Sequence, residues 1–279
     1  MPELPEVERA ARALRGAIIG AVVDRVQLLH PSLRRRVSPR TLRALRGATV
    51  RAVERRGKHQ LIHLDDGRVI HVHFRLNGDW HIGQASKALP RFARAALLFA
   101  DGTRVVLEDS RALSTLDVHR AGKSPELRLG PEPDDPALTA ASLRSALSRR
   151  HIPIKVALLD QRVIAGIGNI YASEALWRAR IDPRSPALSL DDARLRRLLA
   201  ALRAVIARAT GARYAGDAAG RFDVYDRRGR PCRRCRTPIL RLVQSGRSTY
   251  FCPRCQGRNQ RPRAKSLGTI SPPLRRPRP

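Results

Sequence analysis

The first half of the chain alternates apolar and polar positions with a period of two, which is typical of strands with one buried face. The turn signals Asp65-Asp66-Gly67 and Ala100-Asp101-Gly102 predict hairpins between such strands. The predicted strands are residues 21–28, 49–56, 59–64, 68–74, 95–99 and 104–108. An amphipathic helix that includes Val7–Leu14 precedes them. The pattern therefore predicts a β-sandwich with a leading helix over residues 1–122.

The second half has helical periodicity instead. It predicts helices at residues 139–149, 153–160, 169–180 and 189–209. Proline, glycine and acidic residues dominate the stretch between the halves, which is typical of a linker. A short β-rich module follows the helices, and the final stretch alternates Arg and Lys with Pro and Ser and lacks the apolar content to fold. We predict an α+β protein with a sandwich at 1–122, a linker at 123–136, a helical domain at 137–223, the module at 224–257 and a disordered basic tail at 258–279.

The net charge of the chain indicates the kind of partner that it binds. The chain has 55 Lys and Arg against 24 Asp and Glu, a formal net charge of +31 spread along its whole length. Nucleic acid is the expected partner, because neutralising phosphates releases condensed counterions. A basic membrane binder is the alternative, but no apolar run approaches the ~20 residues of a membrane span, and no apolar signal segment is present. We expect no membrane association and a cytoplasmic location at the nucleoid.

Four cysteines form two C-x-x-C pairs separated by sixteen residues. This spacing is typical of a structural zinc site, in which two tight turns supply four thiolates to one tetrahedral ion. Two disulfides are the alternative, and an intracellular location argues against them. With no further cysteine in the chain, the metal is expected to be structural. The predicted ligands are Cys232, Cys235, Cys252 and Cys255.

The N-terminus offers unusual chemistry. Removal of Met1 would leave Pro2 with a free secondary amine, and an α-amino group titrates near pH ~8, so part of it is neutral and nucleophilic at working pH. Such an amine can attack an electrophilic carbon and form an iminium. Glu3 could give or take a proton during the attack. The alternative is an ordinary N-terminus, in which the prolines stiffen the chain and Glu6 helps to open a helix.

Two further stretches suggest phosphate binding. Gly166 and Gly168 precede a helix that is predicted to begin at Asn169, and backbone N–H groups at such a terminus can bind phosphate. A dinucleotide-binding loop is disfavoured, since the third glycine and the flanking strands are absent. Lys58 lies at a strand start, where it could bind phosphate, carry a proton or be solvated. The nearby histidines, His73 among them, are interpreted as phosphate-binding or structural.

Three motifs occur in order along the chain. They are Met-Pro-Glu-Leu-Pro-Glu-Val-Glu at 1–8, Gly-Ile-Gly-Asn-Ile-Tyr-Ala-Ser-Glu at 166–174 and Gly-Arg-Ser-Thr-Tyr-Phe-Cys-Pro-Arg-Cys-Gln at 246–256. Together they resemble the formamidopyrimidine-DNA glycosylase family, which includes endonuclease VIII. The resemblance implies a β-sandwich joined to a helix-two-turns-helix domain and a four-cysteine zinc finger, with DNA between them. It also implies a bifunctional glycosylase and abasic-site lyase of base excision repair.

The resemblance assigns roles to individual positions. It implies that Pro2 is the nucleophile, Glu3 its acid/base partner, Glu6 a supporting carboxylate and Lys58 the lysine of the catalytic domain. The other matching positions are expected to contact DNA: phosphates at three of them, and the gap left by an extruded nucleotide at the other three. The phosphate contacts are His73, Asn169 and Arg247, and the residues at the gap are Leu76, Arg111 and Leu113.

Two departures from the family pattern bear on specificity. The Asp-Pro-Arg-x-Phe stretch is Asp109-Ser110-Arg111-Ala112-Leu113 here, so a leucine replaces the aromatic wedge. The segment 211–224 is shorter than the lesion-capping loop typical of the 8-oxoguanine enzymes. We predict a monomeric enzyme that removes oxidised purines from damaged or abasic double-stranded DNA through a proline Schiff base and cleaves the strand by β,δ-elimination. The alternatives are an oxidised-pyrimidine glycosylase resembling endonuclease VIII, and a non-catalytic binder of damaged DNA, against which intact Pro2 and Glu3 argue.

Overall fold

The computed structural model describes residues 2–211 and 222–257. The first part of the chain is a β-sandwich of two four-stranded antiparallel sheets with a helix at its front. Its elements are α1 (Leu4–Ile18), β1 (Val23–Leu28), α2 (Pro31–Arg34), α3 (Pro39–Ala44), β2 (Val50–Arg56), β3 (His59–Leu64), β4 (Val69–His73), β5 (Asp79–Gln84), β6 (Ala93–Phe99), β7 (Thr103–Glu108) and β8 (Thr115–His119). The strand orders are β1-β6-β7-β5 and β2-β3-β4-β8.

All six predicted strands are present, with ends shifted by at most two residues. The two Asp-Gly turns join β3 to β4 and β6 to β7, with Gly67 and Gly102 at positive φ as such hairpins require. The structure adds β5, β8 and the short helices α2 and α3, which the apolar pattern did not predict. Apolar side chains from both sheets and from one face of α1 form a common core.

The second part of the chain is helical and ends in a small β-module. Its elements are α4 (Ala140–Leu147), α5 (Ile154–Leu158), α6 (Asn169–Arg178), a 3₁₀ turn (Ala187–Ser189), α7 (Asp192–Gly211), β9 (Leu240–Gln244), β10 (Arg247–Phe251) and α8 (Pro253–Gln256). The helices share a second core, and β9 and β10 form an antiparallel hairpin. These features confirm the predicted fold class. The predicted tail and most of the segment 211–224 lie outside the described residues.

Helix α1 links the two cores and thereby positions the N-terminus. Val7 and Leu14 are buried in the sandwich core, whereas Leu4 packs into the core of the helical part. The Leu4 amide also donates to the Gly166 carbonyl at 3.0 Å, which fixes the first turn of α1 to the loop before α6. The chain start therefore lies at the junction of the two parts. None of the helices in the described ranges combines the length and the apolar character that crossing a bilayer requires.

Candidate active site at the domain junction

A cleft of about 270 Å³ opens beside the N-terminus, between the sandwich and the helical part. Pro2 and Glu6 line it from the chain start and α1, Leu76 and Asn77 from the loop after β4, and Ile170 from the first turn of α6. The lining residues of the cleft come from both parts of the chain. Three residues that the sequence singled out, one of them the candidate nucleophile, therefore share one cavity.

Glu3 is fully buried and caps two helices at once. It is the N-cap of α1, and its carboxylate also accepts hydrogen bonds from the amides of Ile170 at 2.8 Å and Tyr171 at 3.3 Å, in the first turn of α6. Burial raises the pKa of Glu3 above its ordinary value, although the charge of Lys58 and the two amide bonds favour the ionised form. Gly168 leaves the room for this carboxylate, since a Cβ there would lie 2.4 Å from the Glu3 Cδ.

Lys58 and Glu6 complete the polar surroundings of Glu3. The Lys58 ammonium donates to the Ile167 carbonyl at 2.8 Å, and burial lowers its pKa despite the nearby negative charge of Glu3. Glu6 accepts hydrogen bonds from the Glu3 amide at 2.9 Å and from the Tyr171 hydroxyl at 2.6 Å. A buried acid with a raised pKa beside a buried amine with a lowered one is typical of a site that moves protons.

A second polar group lies at the start of α6. The Asn169 side chain donates to the Ser248 carbonyl of β10 at 3.0 Å and accepts a hydrogen bond from the Lys155 ammonium. Lys155 has no solvent exposure, and burial together with the charge of Arg247 lowers its pKa to about 8, against the opposing effect of Glu3. Arg247 itself is exposed at the start of β10. The exposed Arg247 and the buried Lys155 thus place two cationic groups where the finger hairpin meets the α6 N-terminus.

Sequence reasoning missed several of these groups. Lys155 interrupts the apolar run at 152–159, and a lysine in such a run was the available signal for a buried functional cation. Gln161 gave no comparable signal, yet it holds the glycine loop through the Gly166 amide at 3.0 Å and the Ile167 carbonyl at 2.8 Å. Lys155 pairs with the side chain of Asn169, and Gln161 with irregular backbone, and the sequence pattern reveals neither partner.

The loop that carries Arg111 and Leu113 is organised by one carboxylate. Asp109 is fully buried and accepts from the amides of Arg111, Leu113 and Ser114 at 2.9, 2.8 and 2.7 Å. Burial acts to raise its pKa, but these hydrogen bonds prevail and hold the pKa below its ordinary value. Ala112 takes a positive φ of 52°, a strained conformation for a residue with a Cβ. Leu113 is 45 % exposed and is therefore no part of the sandwich core.

The Leu76 loop is tied to this second loop. The Asn77 side chain donates to the Ser110 hydroxyl at 3.3 Å, and the Ser114 hydroxyl donates to the Phe74 carbonyl at 3.0 Å. The two loops therefore form one unit that presents Leu76, Arg111 and Leu113. Their function in a DNA stack stays a prediction.

His73 belongs to a cluster of histidines on β3 and β4. His59 Nδ1 and His71 Nε2 are hydrogen-bonded at 2.8 Å, and the His73 ring packs edge-on against His59 with centroids 4.7 Å apart. Burial is the main reason why their pKa values fall, to about 4 for His59 and His71 and about 3 for His73. These rings are therefore neutral at pH 7. The positive charges that act on them come from Lys58 and Arg75.

The four cysteines converge in the finger. Their Sγ atoms all lie within 4.8 Å of one another, with 3.3 Å between Cys235 and Cys252 and 4.0 Å between Cys232 and Cys255. Four thiolates around a tetrahedral zinc ion, at ~2.3 Å each, would be ~3.8 Å apart, so the cluster fits such an ion. The Trp177 indole of α6 donates to the Cys232 sulfur at 3.4 Å, which joins the finger to the helix whose N-terminus Glu3 caps.

Three family models match the chain in order. The formamidopyrimidine-DNA glycosylase N-terminal domain matches residues 1–116, the formamidopyrimidine-DNA glycosylase H2TH domain matches 129–216, and the zinc finger found in FPG and IleRS matches 229–257. The first two matches include the candidate nucleophile, Glu3, Lys58 and the α6 N-terminus. The third spans all four cysteines, which supports a structural metal there.

Named relatives and solved structures agree with the family models. The chain is 39 % identical to the formamidopyrimidine-DNA glycosylase of Paracoccus denitrificans, over 92 % of this chain and all of the relative. The Thermus thermophilus MutM (Fpg) structure has a TM-score of 0.78 at 37 % identity, covering 92 % and 99 % of the two chains. The Lactococcus lactis glycosylase bound to DNA with an abasic site has a TM-score of 0.85 at 27 % identity, covering 91 % and 99 %. The chain therefore belongs to the formamidopyrimidine-DNA glycosylase family, whose members are DNA-repair glycosylases with abasic-site lyase activity.

Proposed function

We propose that this glycosylase removes oxidised purines, such as 8-oxoguanine and formamidopyrimidines, from double-stranded DNA by nucleophilic attack of the Pro2 amine. The observation that carries the proposal is the position of Pro2, which lines the cleft next to a fully buried carboxylate with a raised pKa. An extruded nucleotide would enter this cleft, since a target base must leave the stack before its C1′ can be attacked.

The chemistry follows from the neighbours of Pro2. The neutral amine bonds to C1′ of the damaged nucleotide and loses its N–H proton, the C1′–N bond to the base breaks, and the base leaves with the electron pair and takes up that proton. Glu3, whose raised pKa favours a bound proton, then protonates O4′ as the sugar ring opens and the iminium forms. The iminium acidifies the C2′ proton, whose loss expels the 3′ phosphate by β-elimination. A second elimination releases the 5′ phosphate.

Lys58 is proposed to act at the same centre. Its ammonium is held by the Ile167 carbonyl and interacts with the charges of Glu3 and Glu6. A lowered pKa allows this amine to exchange a proton near neutral pH more readily than an ordinary lysine. We propose that it carries protons between the leaving base, the sugar and solvent.

The positive surface around the α6 N-terminus is proposed to bind the DNA backbone. Asn169 begins α6 and Arg247 begins β10, and the hydrogen bond from the Asn169 side chain to the Ser248 carbonyl joins the two elements. The buried Lys155 adds positive charge beneath them. Helix N-termini and cations together favour phosphate. His73 is proposed to add a neutral hydrogen-bonding contact on the sandwich side. One chain is expected to bind one duplex as a monomer, at the nucleoid of the cytoplasm.

We propose that the metal in the finger is a single zinc ion. Four convergent thiolates are typical of structural zinc, and no open position is left for catalysis. A hairpin module of this size buries little apolar surface, so metal binding would supply much of its folding energy. The ion would thereby fix Arg247 in place on β10.

The lesion preference has one serious alternative. A Lactococcus lactis Fpg structure similar to this chain is a complex with FAPY-dG DNA, and another is a complex with DNA that contains an oxidised pyrimidine. The relatives carry the name of formamidopyrimidine-DNA glycosylase, which favours purine lesions here. The short segment at 211–224 keeps the pyrimidine alternative open.

A lesion panel distinguishes these possibilities. Single-turnover excision would be measured on matched duplexes that contain 8-oxoguanine, a formamidopyrimidine or an oxidised pyrimidine, with Pro2→Gly as the control enzyme. We expect the purine lesions to be cut fastest and the control to bind DNA but to lose most of its cutting. Faster cutting of the oxidised pyrimidine would assign the enzyme to the endonuclease VIII type. Tight binding without any cutting would leave only a damaged-DNA binder.

A further inference from the structure

Glu132 lies in the Pro- and Gly-rich stretch that the sequence marked as a linker, yet it is only 5 % exposed. One oxygen of its carboxylate accepts from the Gly57 amide at 2.7 Å, and the other lies 2.7 Å from the Arg55 guanidinium. Arg55 also donates to Glu8 of α1 at 2.7 Å. A buried network of charges therefore joins the linker to α1 and to the end of β2.

The Gly57 amide belongs to the β2–β3 turn that carries Lys58. Gly57 adopts a φ of +57°, and a Cβ there would lie 3.3 Å from the Leu129 side chain and 3.4 Å from the Gly166 amide. The turn is therefore enclosed between the linker on one side and the glycine loop before α6 on the other. Lys58 follows directly and extends to the Ile167 carbonyl of that loop.

The hydrogen bond from Gly57 is of the strong kind. A buried carboxylate is costly unless it is paired and hydrogen-bonded, and Glu132 has both a cation and a backbone N–H. Charge-assisted bonds of this type are shorter and stronger than neutral ones. The next residue along the backbone is the amine beside Glu3, so a shift of the turn moves that amine directly.

We propose that Glu132 is a positioning residue for Lys58. It fixes the Gly57 amide, and through it the backbone from which the lysine side chain reaches the site. The inference rests on the proposed role of Lys58 in the chemistry. It assigns a function in the reaction to a linker residue that touches neither the cleft nor the proposed DNA surface.

The test compares Glu132→Ala and Glu132→Gln with Glu126→Gln. Glu126 belongs to the same linker, but its side chain is 83 % exposed and pairs only loosely with Arg128 at 3.7 Å. We expect Glu132→Ala to lower the single-turnover excision rate roughly 10- to 100-fold, because displacements of about 1 Å have such effects. Glu132→Gln keeps an acceptor for Gly57 and should lose less, and Glu126→Gln should lose nothing. DNA affinity should stay unchanged in all three.

A double-mutant cycle separates positioning from folding. In a Lys58→Met background, Glu132→Ala should cause no further loss of rate, because the group that it positions is already gone. An additional loss of similar size in that background would overturn the proposal, as would full activity of Glu132→Ala or of Lys58→Met. Failure of the proposed function is distinct, since it would appear as the absence of a borohydride-trapped adduct in the unmutated enzyme.

Discussion

Gly168→Ala should disable the site through a single added methyl group. Gly168 is the N-cap of α6 with φ −135° and ψ −160°, a conformation that alanine adopts without strain. Its added Cβ, however, would lie 2.4 Å from the Glu3 Cδ and 2.6 Å from Oε1. The substitution therefore tests the position of the Glu3 carboxylate without changing any titratable group.

The size of the effect follows from those distances. Ordinary carbon contacts are about 3.5 Å or longer, so the carboxylate must move by about 1 Å. Such a shift breaks its hydrogen bonds to the Ile170 and Tyr171 amides. A displacement of this size near the reacting atoms costs about 10²-fold in rate, which corresponds to about 2.7 kcal/mol of activation free energy. Each lost bond to the carboxylate should also lower the free energy of unfolding, by about 1.5 to 3 kcal/mol.

Gly16→Ala is the matched control. Gly16 is exposed on α1, and a Cβ there meets nothing within 4 Å. Alanine should stabilise this helix by about 0.5–1 kcal/mol and leave the excision rate unchanged. Single-turnover excision on one duplex and a thermal melt of each variant give both quantities. If Gly168→Ala excised the lesion as fast as the unmutated enzyme, the proposed role of Glu3 as the proton donor would be refuted.

Three other substitutions address separate parts of the account. Arg111→Ala should slow excision from duplex DNA strongly. It should hardly affect lyase activity on a single-stranded abasic site, because no base stack needs refilling there. Equal losses on both substrates would contradict the proposed insertion of this loop into the DNA stack. Cys252→Ser should abolish DNA binding and metal binding, while circular dichroism should still show a folded β-sandwich. Active unmutated protein with less than about half an equivalent of zinc would contradict the proposed zinc site. Burial lowers the pKa of His71 from about 6.5 to about 4, so the unfolded chain binds the extra proton and stability should fall as pH drops through that window. His71→Gln should make this fall smaller in denaturation curves between pH 7 and 4 without abolishing it, since His59 and His73 have lowered pKa values of their own.

The elements that the sequence revealed are those with regular apolar spacing. The core strands have alternating apolar residues, and the Asp-Gly pairs between them are the residues that tight hairpin turns favour. β5 and β8 also alternate polar and apolar residues, but each has only two apolar positions in the alternation, Trp80 and Ile82 in β5 and Leu116 and Val118 in β8, which is too few to establish a period. The short helices α2 and α3 begin at Pro31 and Pro39. Proline favours the first turn of a helix, but in a search for apolar periodicity it indicates the end of an element, so both helices were missed.

The candidate site was accessible from the sequence only through motifs. The N-terminal proline and Glu3 have a chemical rationale of their own, and the cysteine spacing needs no structure. Glu132 and Lys155 did not stand out, because their partners are backbone groups and side chains brought together only by folding. A buried charge in a predicted linker or apolar run signals such a role, but its partner cannot be read from local spacing.

Borohydride trapping tests the central claim most directly. The enzyme would be incubated with damaged duplex DNA and sodium borohydride, which reduces an iminium to a stable covalent adduct, and the modified peptide would be identified by mass spectrometry. We predict one adduct on the N-terminal peptide, with Met1 absent and the DNA remnant on the Pro2 nitrogen. An adduct on Lys58 or Lys155 instead, or full excision without any adduct, would contradict the Pro2 Schiff base.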